Sequence, residues 1–479
     1  MRTILLFLTL TLIGGGVTSC AVNPVTGQRQ FTLISEAQEI EIGREADRDI
    51  SRSLGVYDDP ELQAYVQALG ERMARDSERP NLPWTFRVID DPVINAFALP
   101  GGYIYVTRGI LSHFSSEAEL AGVLGHEIGH VTARHGVSRV SRAQLAQVTL
   151  GAGMIFVPQL EGIGGELASF GVGLLFLSYS RDDERQADDL GLRYMTDEGY
   201  DPREMAATFE MLYNASGAEE GDRIPNWLSS HPDPLNRRDR ILSRVESGEV
   251  SGERVERDSY LQRLDGMTFG PNPREGFFRD DVFYHPDLAF RMDFPAGWSR
   301  VNQKEGVQAI SPEEDAMLLI TFASESSATA ARTAFLSADN VTGSNLRQEP
   351  INGLPAARAD FRAVTDQGTL RGTVDFVEYG GAVYRLLGYA VESRWDARAS
   401  ALRGATGSFR QLTEARFLNV QPRTIEIVRT DRTHTFTSFI EAYPSTVSNE
   451  VISTINRFRP GDTVPSGTLM KRVVGGQLP

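Results

Sequence analysis

The sequence predicts an α+β chain of several domains. A mainly α-helical first unit with a small edge-strand sheet is followed by an α/β unit of antiparallel sheet plus helix, then by a small βααβ unit. Three observations carry this. Leu120, Val123, Leu124 and Ile128 recur at helical spacing in the first half. Beyond residue 265 the pattern changes to short strand-like runs bounded by Pro and Gly. The last stretch reads strand, helix, helix, strand. A length of 479 residues leaves room for about three domains.

The chain opens with Met1-Arg2 and an apolar run over residues 4–13, too short to span a bilayer as a mature helix. Val17-Thr18-Ser19-Cys20 closes it with small residues before the only cysteine of the chain. This is the pattern of a lipoprotein signal over 1–19, with cleavage before Cys20 after its thiol is lipidated. An ordinary signal peptide with an incidental cysteine is the alternative. A lone cysteine excludes an intramolecular disulfide and fits a thiol used for lipidation. Ala21 follows, where aspartate retains some bacterial lipoproteins at the inner membrane. The expected location is therefore the bacterial envelope, on the outer membrane facing the periplasm, with residues 20–31 as a tether. The balance of 48 basic to 64 acidic residues argues against nucleic acid or anionic lipid as a bulk electrostatic partner.

Residues 32–110 read as two helices and then a small sheet, with strand character at 84–89 and 102–106, separated by 95–101. Next comes a helix starting near Ser116, where Glu119 three residues on resembles a capping box. It carries His126-Glu127-Ile128-Gly129-His130. Two imidazoles four apart share one helix face and can reach one tetrahedral metal. Glu127 then lies beside the open position, placed to take a proton from water. A core helix that happens to carry two histidines is the plainer alternative. Glu184 is the candidate third ligand, in a charged helical stretch where Asp188 follows one turn later. One of the two can bind metal while the other fixes a ligand imidazole. A solvated acidic face is the alternative reading of that pair.

His126-Glu127-x-x-His130 followed by Ser180-Arg181-x-x-Glu184-x-x-Ala187-Asp188-x-x-Gly191 resembles the zinc metallopeptidases typified by HtpX and the CAAX prenyl protease, and within them the BepA-like branch. Asn23-Pro24-Val25-Thr26-Gly27 with Ser35-Glu36-Ala37-Gln38-Glu39 resembles that branch's mature start. Asn95, Ala96, Phe97, Ala98, Leu99, Pro100, Gly101 and Gly102 resemble the segment leading into its substrate-facing edge strand. Ser230-His231-Pro232-x-Pro234-x-x-Arg237 resembles its histidine segment after the third ligand. The resemblance covers roughly residues 23–250. It implies one Zn2+ per chain held by His126, His130 and Glu184, with Glu127 as general base and Asp188 supporting a ligand. It also implies extended polypeptides as substrates, paired along the edge strand.

His231 has three readings: a cap on the metal in a resting state, a group assisting the transition state, or a loop histidine fixed by Pro232. Arg237 is grouped with Glu127 and His231 as a catalytic candidate. Arg237 and Arg240 can equally pair with the acidic helix. His135 misses the spacing of a longer three-histidine motif and reads as a surface or helix-end residue. His113 reads as structural or exposed. The apolar stretch 145–177, interrupted by Pro158, Glu161 and Glu166, reads as a helical hairpin over the site or at the membrane surface, or as core.

The expected units are then a zinc metallopeptidase domain over 32–265, an α/β domain over 266–412 and a small domain over 413–479. The middle one resembles Mog1/PsbP-like domains, with a hairpin around Gly380-Gly381 and a helix over 330–340. The last resembles LysM modules, which implies peptidoglycan as a partner. Thr433-His434-Thr435 stands there in place of that family's Gly-Asp-Thr. The whole reads as an endopeptidase for misfolded or unassembled envelope proteins. The alternative is a chaperone-like assembly or quality-control factor whose protease site is gated by His231.

Overall fold

The computed structural model describes residues 20–32, 34–141, 179–218, 227, 230–365 and 368–478. The signal segment 1–19 and the apolar stretch 145–177 lie outside them. Among the described residues, no helix is long and apolar enough to cross a membrane.

Residues 20–31 are not a plain tether. Strand β1 (Cys20–Val22) pairs antiparallel with β2 (Arg29–Phe31). Asn23 closes the turn by accepting from the amides of Val25 and Thr26, and its own amide donates to the Ala133 carbonyl at 3.2 Å. Helix α1 (Glu36–Ser53) starts on a capping box between Ser35 and Gln38, and α2 (Pro60–Arg75) on Asp59 with proline at its first turn.

The sheet that follows has three strands where the sequence showed two. β3 (Thr85–Ile89), β4 (Ala96–Leu99) and β5 (Tyr103–Thr107) lie in the order β3-β5-β4. β5 is central, parallel to β3 and antiparallel to β4, and buried at all five positions. β4 is short and lacks β-branched residues, which hid it; pairing with β5 makes it a strand. Gly101 and Gly102 are not edge-strand residues. They form the β4–β5 turn with φ of 83° and 101°, which glycine alone adopts readily.

Helix α3 (Arg108–His113) leads into α4 (Glu117–Thr132), which is buried along its whole length. The Ser116 hydroxyl accepts from the Glu119 amide, and the Glu119 carboxylate accepts from Ser115, one residue earlier than a standard capping box. Helix α5 (Arg181–Asp197) has its own capping box between Ser180 and Asp183. α6 (Pro202–Ala218), α7 (Pro234–Glu246) and α8 (Arg257–Arg263) complete the helical half. α4 and α5 meet backbone to backbone. A Cβ on Gly191 would lie 2.6 Å from the His126 amide nitrogen, and one on Gly129 would lie 2.9 Å from the Ala187 carbonyl oxygen.

Sheet-rich structure follows, so the chain as a whole is α+β. β6 (Thr268–Phe269) comes first, then β7 (Phe277–Arg279), β8 (Val282–His285) and β9 (Phe290–Asp293). Seven antiparallel strands form the largest sheet: β10 (Ser299–Gln303), β11 (Gly306–Ile310), β12 (Ala316–Phe322), β13 (Val341–Arg347), β14 (Ala356–Thr365), β15 (Gly368–Tyr379) and β16 (Ala382–Val391). Gly380 and Gly381 join β15 to β16 with φ of 60° and 83°, the positive pair that a two-residue hairpin turn needs. Helix α9 (Ala328–Leu336) packs on one face through Phe335. The sequence reading missed α10 (Trp395–Thr406), which covers the other face. Period-two alternation divides the sheet residues: Leu318 and Leu386 face α10, Leu319 and Leu387 face α9. β17 (Arg410–Gln411) returns to pair with β9.

After the short α11 (Ala415–Leu418), β18 (Arg423–Arg429), β19 (His434–Thr435), α12 (Phe436–Ala442), α13 (Asn449–Asn456), β20 (Thr463–Val464) and β21 (Leu469–Gly475) close the chain. β18 sits between β21 and β6. This last unit docks on the helical half. Lys471 is fully buried and donates to the Ser112 and Phe114 carbonyls at the end of α3, at 3.0 and 2.7 Å. Arg457 pairs with Glu119, in the first turn of α4, at 2.6 Å.

His113 lies beneath that junction, so it is structural and not exposed. Its Nδ1 contacts the Gly109 carbonyl at 2.8 Å. Burial pushes its imidazole down to about 4, the backbone bond opposes this, and the nearby Lys471 and Arg457 charges add to it. A folded pKa below the unfolded one gives stability that is complete above pH 6.5 and is lost as pH falls from there toward 4. The loss from this residue is at most about 3 kcal/mol. Chemical denaturation at pH 7 and pH 4.5 should show His113→Asn losing less stability than wild type over that interval. Equal losses would show that His113 does not report the junction.

Candidate metal centre

Helical spacing puts His126 and His130 on the same face of α4, with their Nε2 atoms 3.0 Å apart. Glu184, in the first turn of α5, places Oε1 3.4 Å from His130 Nε2 and Oε2 3.6 Å from His126 Nε2. His231, just before α7, brings Nδ1 to 3.2 Å from His126 Nε2 and 2.9 Å from Glu184 Oε1. One donor atom from each of these four buried residues lies within 4.8 Å of the others. A tetrahedral ion with bonds near 2.0–2.1 Å separates its ligand atoms by about 3.3 Å, and these distances scatter around that value. Two imidazole nitrogens and a carboxylate aimed at one point are the donor set of such an ion.

Behind the donor atoms, His126 and Glu184 are held by further polar groups. His126 Nδ1 lies 3.0 Å from Asp188 Oδ1. Arg237 grips the same carboxylate with Nε at 2.9 Å and Nη2 at 2.5 Å, and its Nη1 lies 2.9 Å from Glu184 Oε2. Its guanidinium rests over Phe209 and Trp227 at 4.2 and 4.9 Å. Arg237, grouped above with Glu127 and His231, thus bridges the two acidic residues of α5, Asp188 and Glu184. Arg240 lies farther out, 3.5 Å from Asp188 and 3.2 Å from Asp189.

Charges follow this packing. Burial opposes ionisation of Glu184, yet His231 and Arg237 hold its carboxyl well below the usual carboxylate range. Asp188 is likewise held low against its burial by Arg237 and by the bond to His126. Glu127 differs. Burial pushes its carboxyl upward, with His231 and His126 only partly opposing. Both its oxygens are buried without a hydrogen-bond partner among the described residues; His231 Nε2 is 3.7 Å from the nearer one. An orphaned carboxylate beside converging donors fits a site built around a further group.

The structure thus brings together His126, Glu127, His130, Glu184, Asp188, His231 and Arg237. Of the edge-strand candidates, Ala96 and Phe97 belong to β4, Asn95 immediately precedes it, and Gly101 and Gly102 form its turn. Ala98, Leu99 and Pro100 line one small cavity with His130 and Tyr179, so the far end of β4 borders the centre. Cys20 contributes a backbone position in β1.

Sequence reasoning missed three residues. Tyr179 stacks on His130 with ring centroids 3.8 Å apart, and Trp227 stacks on His231 at 4.6 Å. His135 lies just past the end of α4, the helix-end position of its two readings, but it is 2 % exposed, with Nδ1 2.9 Å from His130 Nδ1. Tyr179 carried one signal: it precedes the Ser180 cap of the helix that bears Glu184.

Two helices presenting this donor set with a glutamate beside it define a metallopeptidase-type centre. Residues 60–245 match the family model for peptidase family M48, and the chain belongs to that family. It is 31% identical to mitochondrial metalloendopeptidase OMA1 of Schizosaccharomyces pombe over 253 residues, half of this chain and 72% of that one. Mitochondrial metalloendopeptidase OMA1 of Arabidopsis thaliana is 35% identical over 178 residues, 37% of this chain and 35% of that one. The beta-barrel assembly-enhancing protease of Escherichia coli K12 is 31% identical over 224 residues, 45% of each. The match therefore spans less than half the length of these last two relatives. Among solved structures, the solution structure of cyanobacterial PsbP from Synechocystis is similar at 15% identity and a TM-score of 0.23, covering 28% of this chain and 94% of that one. That likeness is too low to assign a fold family.

Removal of a donor should empty the centre. Purified wild-type protein should carry one metal ion per chain by elemental analysis, and Glu184→Ala should lose it while keeping its far-UV circular dichroism. Full occupancy in Glu184→Ala would refute the ligand assignment.

Proposed function

We propose that the protein is a zinc endopeptidase acting on misfolded or unassembled proteins of the bacterial envelope. The observation that carries this is the convergence of His126, His130, Glu184 and His231 donor atoms beside the orphaned Glu127 carboxylate. His126, His130 and Glu184 would hold the ion. When bound, zinc polarises a peptide carbonyl and brings the ionisation of water near neutrality.

The chain's own groups do the rest. Glu127 takes the proton from the attacking water and passes it to the leaving amine. Its buried environment raises its basicity toward the range a general base needs. Asp188 keeps the His126 ring oriented, and Arg237 balances Asp188 and Glu184 so that the centre does not carry uncompensated buried charge. Among the described residues β4 pairs with β5 on one side only, so its outer edge can pair with an extended substrate backbone beside His130.

The envelope location rests on the signal pattern ending at Cys20, with a lipid anchor there and the protein facing the periplasm from the outer membrane. The similarity to a protein named beta-barrel assembly-enhancing protease supports the same compartment. Peptidoglycan as a partner of residues 413–479 rests on their strand-helix-helix-strand order.

A second reading has its own support. His231 Nδ1 stands among the donor atoms, closer to Glu184 than either ligand histidine is. Such a contact occupies the position that water and substrate require. The resting protein is then a latent protease, and its main work is chaperone-like assembly or quality control, with cleavage on release of His231.

Casein cleavage by wild type, Glu127→Gln and His231→Ala tests both. Glu127→Gln should retain metal and lose activity by about a hundredfold or more. His231→Ala should retain metal and cleave faster than wild type. Near-normal activity in Glu127→Gln would overturn the mechanism. A fall in His231→Ala with metal retained would overturn the gate and make the imidazole a transition-state group.

A further inference from the structure

Burial of His135 against a ligand histidine points to a second support for the metal. We propose that His135 and Gln186 form a hydrogen-bonded relay that fixes the tautomer and ring orientation of His130, making both positioning residues for the ion. This rests on the metallopeptidase reading and extends it.

The argument is one of proton counting. His130 Nδ1 and His135 Nδ1 are 2.9 Å apart, so one must donate and the other accept. His130 turns Nε2 toward His126 and Glu184. A nitrogen that binds metal offers a lone pair, so the His130 proton sits on Nδ1. His135 Nδ1 must then accept, and the His135 proton sits on Nε2. That atom faces Gln186 Oε1 at 3.0 Å, with Asp183 Oδ1 at 3.5 Å. Every donor in the chain meets an acceptor in this arrangement. The opposite tautomer of His130 would aim an N–H at His126 Nε2 and remove the lone pair from the centre.

Local backbone explains why helical spacing concealed this. Residues five apart on a continuous helix point about 140° apart. α4 ends at Thr132, and Arg134 adopts φ of 59°, a conformation rarely taken by residues other than glycine. That turn swings His135 back over His130. Arg134 is held there by Glu39 and the Ile34 carbonyl, each at 3.0 Å. Tyr179 closes the other side of the His130 ring by stacking. The two ligand histidines are thus supported differently. His126 leans on Asp188, whose charge Arg237 balances, and His130 leans on a neutral imidazole that needs no counter-charge.

The test is zinc affinity, measured by competition with a chromophoric chelator, together with the visible spectrum of the Co2+-substituted protein. His135→Phe keeps a ring but loses the acceptor. It should bind zinc about 10–100-fold more weakly and change the Co2+ absorption bands. His135→Gln restores an acceptor and should recover most of the affinity. Gln186→Met, on the half-buried face of α5, should cost several-fold. It decides the matter if His135→Phe does not fold. Wild-type affinity and an unaltered Co2+ spectrum in His135→Phe, or a His135→Gln as weak as His135→Phe, would overturn the relay while leaving the metal centre standing. Wild-type affinity in Gln186→Met would likewise overturn the His135–Gln186 relay, whether or not His135→Phe folds. A wild type that binds no zinc would overturn the metallopeptidase reading and the relay together.

Discussion

The centre depends on how closely two helix backbones approach. Ordinary helix pairs stand 8–10 Å apart because side chains lie between them. At the α4–α5 crossing Gly125, Gly129 and Gly191 leave nothing between. A methyl group on any of them would meet backbone at 2.9 Å or less. That contact lets a glutamate and an aspartate from α5 reach imidazoles on α4. A larger residue at one of these glycines would push the helices apart, and donor separations of 3.0–3.6 Å cannot absorb a shift of an ångström.

Charge is the second constraint. Glu184 and Asp188 are both buried, and two uncompensated carboxylates in that position would cost more than packing returns. Arg237 answers both from a third helix, and Phe209 and Trp227 shield its guanidinium. Glu127 stands outside that pairing although it lies one residue from His126. Among the described residues, α4 therefore presents two histidines with polar neighbours and a carboxylate without a hydrogen-bond partner. The proposed peptidase centre rests on this contrast more than on the motif alone.

Much of this was legible because α4 obeys simple periodicity: its apolar stripe, its serine cap and its two histidines share one geometry. Glu184 and Asp188 were legible for the same reason, one turn apart on α5. The turn at Gly380-Gly381 was legible because few residue pairs accept two positive φ values. What escaped depends on tertiary contact. β4 is a strand only beside β5. The partners of Arg237 were not legible, because an arginine near a site can face substrate or neighbouring carboxylates until its contacts are known. His135 looked peripheral because the αL turn at Arg134 cancels helical spacing. Residues 395–406 carry no distinctive cap and become a helix against the sheet through Trp395 and Leu402.

Lys471 and Ser112 are separated by 359 residues. At ordinary rates of translation, the interval between making the end of α3 and making the lysine that closes it is roughly 20–70 s. Arg457, the partner of Glu119 in the first turn of the histidine-bearing helix, arrives similarly late. The helical half therefore emerges from the ribosome with Glu119 lacking its Arg457 partner and the Ser112 and Phe114 carbonyls lacking Lys471. Its full rigidity is a property of the finished polypeptide, and a truncated nascent chain holds the histidine pair on a less securely anchored helix.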